Sequence, residues 1–129
     1  MASFKKYKIA EAGGEVTISI PVVFPGVDAT GETINIRSIY SQAFREAQAA
    51  MSRQIQALRI ANKGSPLDED TIAELEENAF ASLVESWTFD EPCVAANVAD
   101  FLRDNPQMKD IISVRSAKDS LFFKKEEQK

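Results

Sequence analysis

The chain has 129 residues, a net charge of −5 and a pI of about 4.8. That length supports one domain with a single hydrophobic core and no need of disulfides or metal, and the acidic balance argues against retention on nucleic acid through the overall field. Histidine is absent, which removes the commonest general base, the commonest metal ligand and every Ser-His or Cys-His nucleophile pair. The composition, 44% hydrophobic and 27% charged, is that of an ordinary globular chain, and its apolar runs are too short to cross a bilayer. The first residues carry lysines without an apolar stretch of signal-peptide length. The lone Cys93 suits a reducing compartment.

Val16, Ile18, Ile20 and Val22 alternate with Thr17, Ser19 and Pro21, the period of a strand with one wet face. Pro21 donates no backbone hydrogen bond and so predicts an edge position or a strand that ends near there. Turn residues follow at Pro25-Gly26 and Thr30-Gly31, then Thr33 to Ile39 alternates again with Ile34 and Ile36 on one side. The simplest reading is a β-hairpin over residues 1–40, which must pack on helices or be completed by a neighbouring chain.

From Ser41 to Ala61, Phe44, Ala47, Met51, Ile55 and Leu58 recur at three and four with no glycine or proline between them, which predicts a long amphipathic helix capped by Ser38 or Ser41. Gly64 and Pro66 end it. Asp68 caps a second helix with Ile72, Leu75, Ala79, Phe80 and Leu83 on its inner stripe, and the short connection predicts an antiparallel pair over residues 41–86. Asp68, Glu69, Asp70, Glu74, Glu76 and Glu77 form an acidic block, whereas Lys5, Lys6, Lys8 and Lys118 lie towards the ends. A solvated helix face accounts for the block, and it would also steer a basic helical partner. Its spacing lacks the glycine and alternating oxygens of a calcium loop. No glycine pattern matches a P-loop or dinucleotide fingerprint.

The stretch from Glu85 to Phe123 carries the most information. Trp87 and Phe89 form an aromatic pair, and Asp90, Glu91 and Pro92 predict a helix start. Val94, Val98, Phe101 and Leu102 make one stripe, Asn105-Pro106 closes that helix and opens another, and Met108, Ile111 and Ile112 face inward from the second. Leu121 and Phe122 are expected to face inward from a third. Cys93 then sits just inside a helix N-terminus, where neighbouring acids oppose a thiolate, so a packing role is favoured over reactivity. Trp87 is read as the centre of the core, with a partner anchor as the rival reading. Asn97, beside the buried stripe, is placed to hold the segment from Trp87 to Pro92 through backbone hydrogen bonds. A helix-turn-helix from Val94 to Arg115 would bring only Lys109 and Arg115 to phosphates, so no nucleic-acid partner is expected.

Trp87, Pro92, Asn97, Leu102, Pro106, Ile111 and Phe122 together form a pattern that resembles the C-terminal half of tail assembly chaperones of long-tailed bacteriophages. The opening half agrees in style, with a strand-rich start and Ser41, Phe44 and Arg45 leading into a long helix. The resemblance implies a non-enzymatic protein of the host cytoplasm that binds the tape-measure protein and keeps it soluble until tail-tube protein replaces it, with no cofactor, metal or membrane. Phe44, Met51 and Ile55 form the candidate partner face, because methionine adapts to varied surfaces, although they also suit an internal core. The expected architecture is α+β: an N-terminal β-hairpin, a long helical hairpin, a C-terminal group of three short helices over residues 87–123 and a frayed tail over 124–129, all in one domain. A homo-oligomer is compatible with it. Two rival functions stand beside this one: a structural tail or neck component that self-assembles through the hairpin, and a small DNA-binding regulator.

Overall fold

The computed structural model describes residues 3–123, so the lysine-rich tail 124–129 lies outside the described residues. The architecture is α+β. Strands β1 (Thr17–Pro21), β2 (Thr33–Arg37) and β3 (Val84–Trp87) form an antiparallel sheet in that spatial order. Helices α1 (Gln42–Ala61) and α2 (Glu69–Ala81) intervene between β2 and β3, and α3 (Ala95–Asp104), α4 (Pro106–Ser116) and α5 (Asp119–Phe122) follow.

The expected hairpin is β1 and β2, with Ile18 opposite Ile36 and Ile20 opposite Ile34. The Val22 amide donates to the Glu32 carbonyl, and antiparallel alternation then turns the backbone groups of Thr17, Ser19 and Pro21 away from β2. Pro21 is tolerated because its missing N–H would have faced the open edge. Val16 lies before the strand and is exposed rather than on its inner face.

The hairpin is completed by its own chain, through a strand that the periodicity hid. Leu83, expected on the inner stripe of α2, lies beyond the end of that helix at Ala81 and is buried next to β3. Ile34 faces Trp87 and Asn35 faces Ser86, but Ile36 faces Val84. Glu85 is therefore an extra residue, a β-bulge, and Leu83 at the end of the turn out of α2 and Val84 at the start of β3 are both buried. Asn35 Nδ2 donates to Ser86 Oγ at 2.8 Å, and Arg37 reaches the Ser82 carbonyl at 2.7 Å, which fixes β3 against the central strand.

Ile34, Ile36, Met108 and Ile112 are fully buried and join Ile20, Leu83, Val84, Val98, Leu102 and Phe122 in one core. The sheet thus packs on α3, α4 and α5. Hydrogen bonds stitch the two layers together: the Val23 amide donates to Met108 Sδ, Gln107 to the Val23 carbonyl, and the Ile39 amide to the Ser116 carbonyl. Asn105 ends α3 and Pro106 takes the first position of α4, as their chemistry requires.

Two inward assignments are corrected. Val94 is 53% exposed because α3 begins later than its acidic prelude suggests, leaving Val94 as the N-cap residue. Leu121 is also exposed, since a four-residue helix can bury only one face and Phe122 occupies it.

Ahead of β1, residues Phe4–Lys6 form a 3-10 turn and Ala10–Gly14 a π-type turn. Gly13 has φ +136°, and a Cβ there would collide with the Phe122 carbonyl oxygen. Gly26 has φ +83° with nothing within 4 Å. Gly13→Ala is therefore expected to cost about 2–4 kcal/mol of unfolding free energy, from strain and overpacking together. Gly26→Ala should cost about 1 kcal/mol, from backbone strain alone. Urea denaturation of the two variants checks the difference, and equal effects would contradict the packing of α5 on the N-terminal turn.

Candidate functional site

Helix α1 starts where Ser41 Oγ accepts from the Phe44 amide. Ser38 turns out to serve the preceding turn instead, accepting from the Tyr40 amide. Over its 20 residues, α1 contains no fully buried side chain. Phe44 packs on the edge of the core, and Met51 and Ile55 are half-buried. A 20-residue amphipathic helix normally buries its stripe. Here the stripe rests chiefly on α2, which itself packs on α3, so α1 forms an outer layer.

Between these helices lies an open groove of about 420 Å³, lined by Gln48 and Met51 from α1, Ala73, Glu76, Glu77 and Phe80 from α2, and Lys109 from α4. A smaller adjoining cleft shares Glu77, Phe80 and Lys109 and is finished by Ala99, Leu102 and Arg103. Ala73, Glu76, Glu77 and Phe80 are spaced at three, one and three, so they form one continuous face of α2. Lys109 Nζ lies 5.6 Å from the Phe80 ring centroid, over the groove floor. Arg103 Nη2 pairs with Glu77 at 2.6 Å, and its Nη1 with Asp100 at 3.1 Å. Glu77 holds the proton on Arg103 more tightly by hydrogen bond and charge. Glu69, Asp70, Glu74 and Glu76 make no ion pair among the described residues, but only Glu76 of them lines the groove, where Lys109 stands opposite it in charge.

The remaining sequence-selected residues cluster elsewhere. Trp87 is half-buried at the margin of the core, not at its centre, which Ile34, Ile36, Met108 and Ile112 occupy. Its ring meets Phe89 edge-on at 5.2 Å and Phe101 at 5.9 Å, and its Nε1 donates to the Glu91 carbonyl at 2.7 Å. Asn97 Nδ2 donates to the Pro92 carbonyl at 2.8 Å. Together these two bonds tie the middle of the loop, at Glu91 and Pro92, to β3 on one side and α3 on the other. Pro92 and Pro106 are exposed, Ile111 is half-buried, and Leu102 and Phe122 are buried. None of these seven residues lines the groove, where Met51 is present without Phe44 and Ile55; Leu102 lines only the smaller adjoining cleft. The groove residues that periodicity did not single out are Gln48, Ala73, Glu76, Glu77 and Lys109; Lys109 reaches it only through the packing of α4, which no local signal reveals.

Cys93 lies before α3, not inside it, and is half-buried against the core margin. Burial raises its pKa, Arg37 lowers it by a smaller amount, and Glu85 adds to the rise. Among the described residues no group of three or more Cys, Asp or Glu is placed to hold a metal ion. No described helix is long and apolar enough to cross a membrane.

Two outcomes follow from this geometry. Asn97→Ala removes a hydrogen bond to the loop and should lower unfolding free energy by about 1 kcal/mol; an unchanged melting temperature would contradict the tether. Because burial raises its pKa, iodoacetamide alkylation of Cys93 should be slower in the folded protein than in the unfolded chain at mildly alkaline pH, and its rate should still be rising with pH where that of the unfolded chain has levelled off. A rate that levels off near neutrality would contradict this. Comparison with protein-family models, with curated proteins and with solved structures finds no match.

Proposed function

We propose that this protein is a tail assembly chaperone of a long-tailed bacteriophage, which acts by binding rather than catalysis and shelters the tape-measure protein in the host cytoplasm until tail-tube subunits take its place. The observation that carries this reading is the half-open stripe of α1, where Phe44, Met51 and Ile55 are only half-buried and Met51 lines an open groove against α2. A chaperone of this kind must hold apolar helical segments weakly and at many places, because a client held by a single tight site could not be handed on. Methionine at the groove suits a varied series of side chains. Carboxylates along α2 keep the apolar stripe in solution and discourage pairing of one groove with another.

The rival readings draw less support. Self-assembly through the hairpin would use the outer edge of β1, where only Thr17 and Ser19 present outward amides before Pro21 interrupts the row. A DNA-reading role would need α4 to offer its basic residues to phosphates, yet Met108, Ile112 and Ser116 are buried and Lys109 lies over Phe80.

Co-expression with the tape-measure protein tests the proposal. The wild-type chain should co-purify with it, and Met51→Glu and Ile55→Glu should each weaken that association about tenfold or more, because each places a charge in the apolar contact. Both positions are half-buried, so the melting temperature should fall only slightly. Failure of the wild-type chain to bind would overturn the function. Undiminished binding by both folded variants would overturn the α1 stripe as its site.

A further inference from the structure

The first turn of α1 is held from two distances along the chain. Ser41 Oγ accepts from the Phe44 amide, which is a local cap. The Gln42 amide instead donates at 2.7 Å to Glu15 Oε1, a carboxylate 27 residues earlier. A helix start leaves its first amides without partners and carries partial positive charge, so an acid brought from elsewhere answers both needs. Glu15 is exposed and makes no ion pair among the described residues.

What aims Glu15 is the pair of buried glycines before it. Gly13 lies against the Phe122 backbone and the Phe123 ring, and Gly14 against the carbonyl oxygens of Ile9 and Tyr40, each too close for a side chain to enter freely. The Tyr40 and Phe123 rings meet edge-on, 5.9 Å between centroids, beside the same segment. Residues Gly13–Glu15 therefore touch both α5 and the start of α1, two helices that share no substantial packing of their own. Helix α5 is the weaker of the two. It has four residues, of which Phe122 alone is buried, and a helix that short depends wholly on its seat. Such an element opens more readily than the core around it.

We propose that Gly13–Glu15 is a clasp that couples the docking of α5 to the first turn of α1. With α5 in its seat, the two glycines are held in the backbone that points Glu15 at the Gln42 amide. When α5 lifts, that backbone is released, the carboxylate leaves, and α1 frays from its start. Phe44, the first residue of the α1 stripe, lies in the turn concerned, so the clasp governs whether that end of the stripe is formed. The coupling is reciprocal: whatever steadies the first turn of α1 also holds α5 down.

Amide hydrogen exchange of the full chain, read residue by residue, tests the clasp. Glu15→Ala changes an exposed side chain, and it should lower protection about threefold or more at Gln42 and also at Leu121 and Phe123, whose amides close α5. The Ile60 amide, in the last turn of α1, should be unchanged. Glu15→Gln keeps an acceptor and should restore most of the protection at both places. Gly13→Ala, which perturbs the clasp from the α5 side, should lower protection at Gln42, and adding Glu15→Ala to it should then have little further effect there. Loss at Gln42 with α5 unmoved would reduce Glu15 to a simple cap and overturn the proposal. Equal loss at Ile60 would overturn it too, by showing a general loss of stability, as would effects of the two substitutions that add in full at Gln42. The Glu15 variants decide the matter alone should Gly13→Ala fail to fold.

Discussion

The structure depends on β2. It is the only strand of the sheet with a neighbour on both sides, and its Ile34 and Ile36 side chains are fully excluded from water. Every other part of the core reaches them from a distance in sequence: β1 through a turn, β3 from beyond both long helices, and α4 through Met108 and Ile112. Burying such side chains contributes roughly 1.5–3 kcal/mol each relative to exposure, and the contacts are largely non-local, so the fold is cooperative around one strand. Neither edge strand could persist alone, since a two-stranded ribbon is marginal in water.

This arrangement divides the chain into a part that holds the fold and a part that rests on it. Sheet, α3, α4 and α5 share the core, whereas α1 lies outside it and touches the rest chiefly through α2. Helix propensity, the Ser41 cap and the absence of glycine and proline keep α1 helical with little tertiary help. Its apolar stripe is then left partly open beside a wall of carboxylates. Solubility and an accessible apolar face thus coexist because they belong to adjacent stripes of the same helical pair, and the proposed chaperone role needs both.

Local chemistry made most of the helices legible. The caps at Ser41 and Asp68, the stop at Gly64 and the Asn105-Pro106 junction each act within a few residues, so the sequence displays them directly. Strand β3 was hidden for a physical reason: Phe80, Leu83, Val84 and Trp87 continue the three-four spacing of α2, and only the partner strand decides that residues after Ala81 are extended. Trp87 misled in a similar way. Its size suggests the centre of the core, but its indole N–H needs an acceptor and finds one in the Glu91 carbonyl at the margin. The acidic run before α3 looked like a helix start, yet the Trp87 and Asn97 bonds to Glu91 and Pro92 hold that run as a loop. The expected partner face was legible as a stripe. That Lys109 overhangs its floor was not, because α4 arrives there through the core.

Native-state hydrogen exchange of the isolated protein tests the central division most directly. Amides of β2 and of the buried turns of α3 and α4 should exchange only through global unfolding, while those along α1 exchange through smaller openings and are protected less by a factor of about ten or more. Protection of α1 equal to that of β2 would make the helical pair part of one cooperative core and contradict the account.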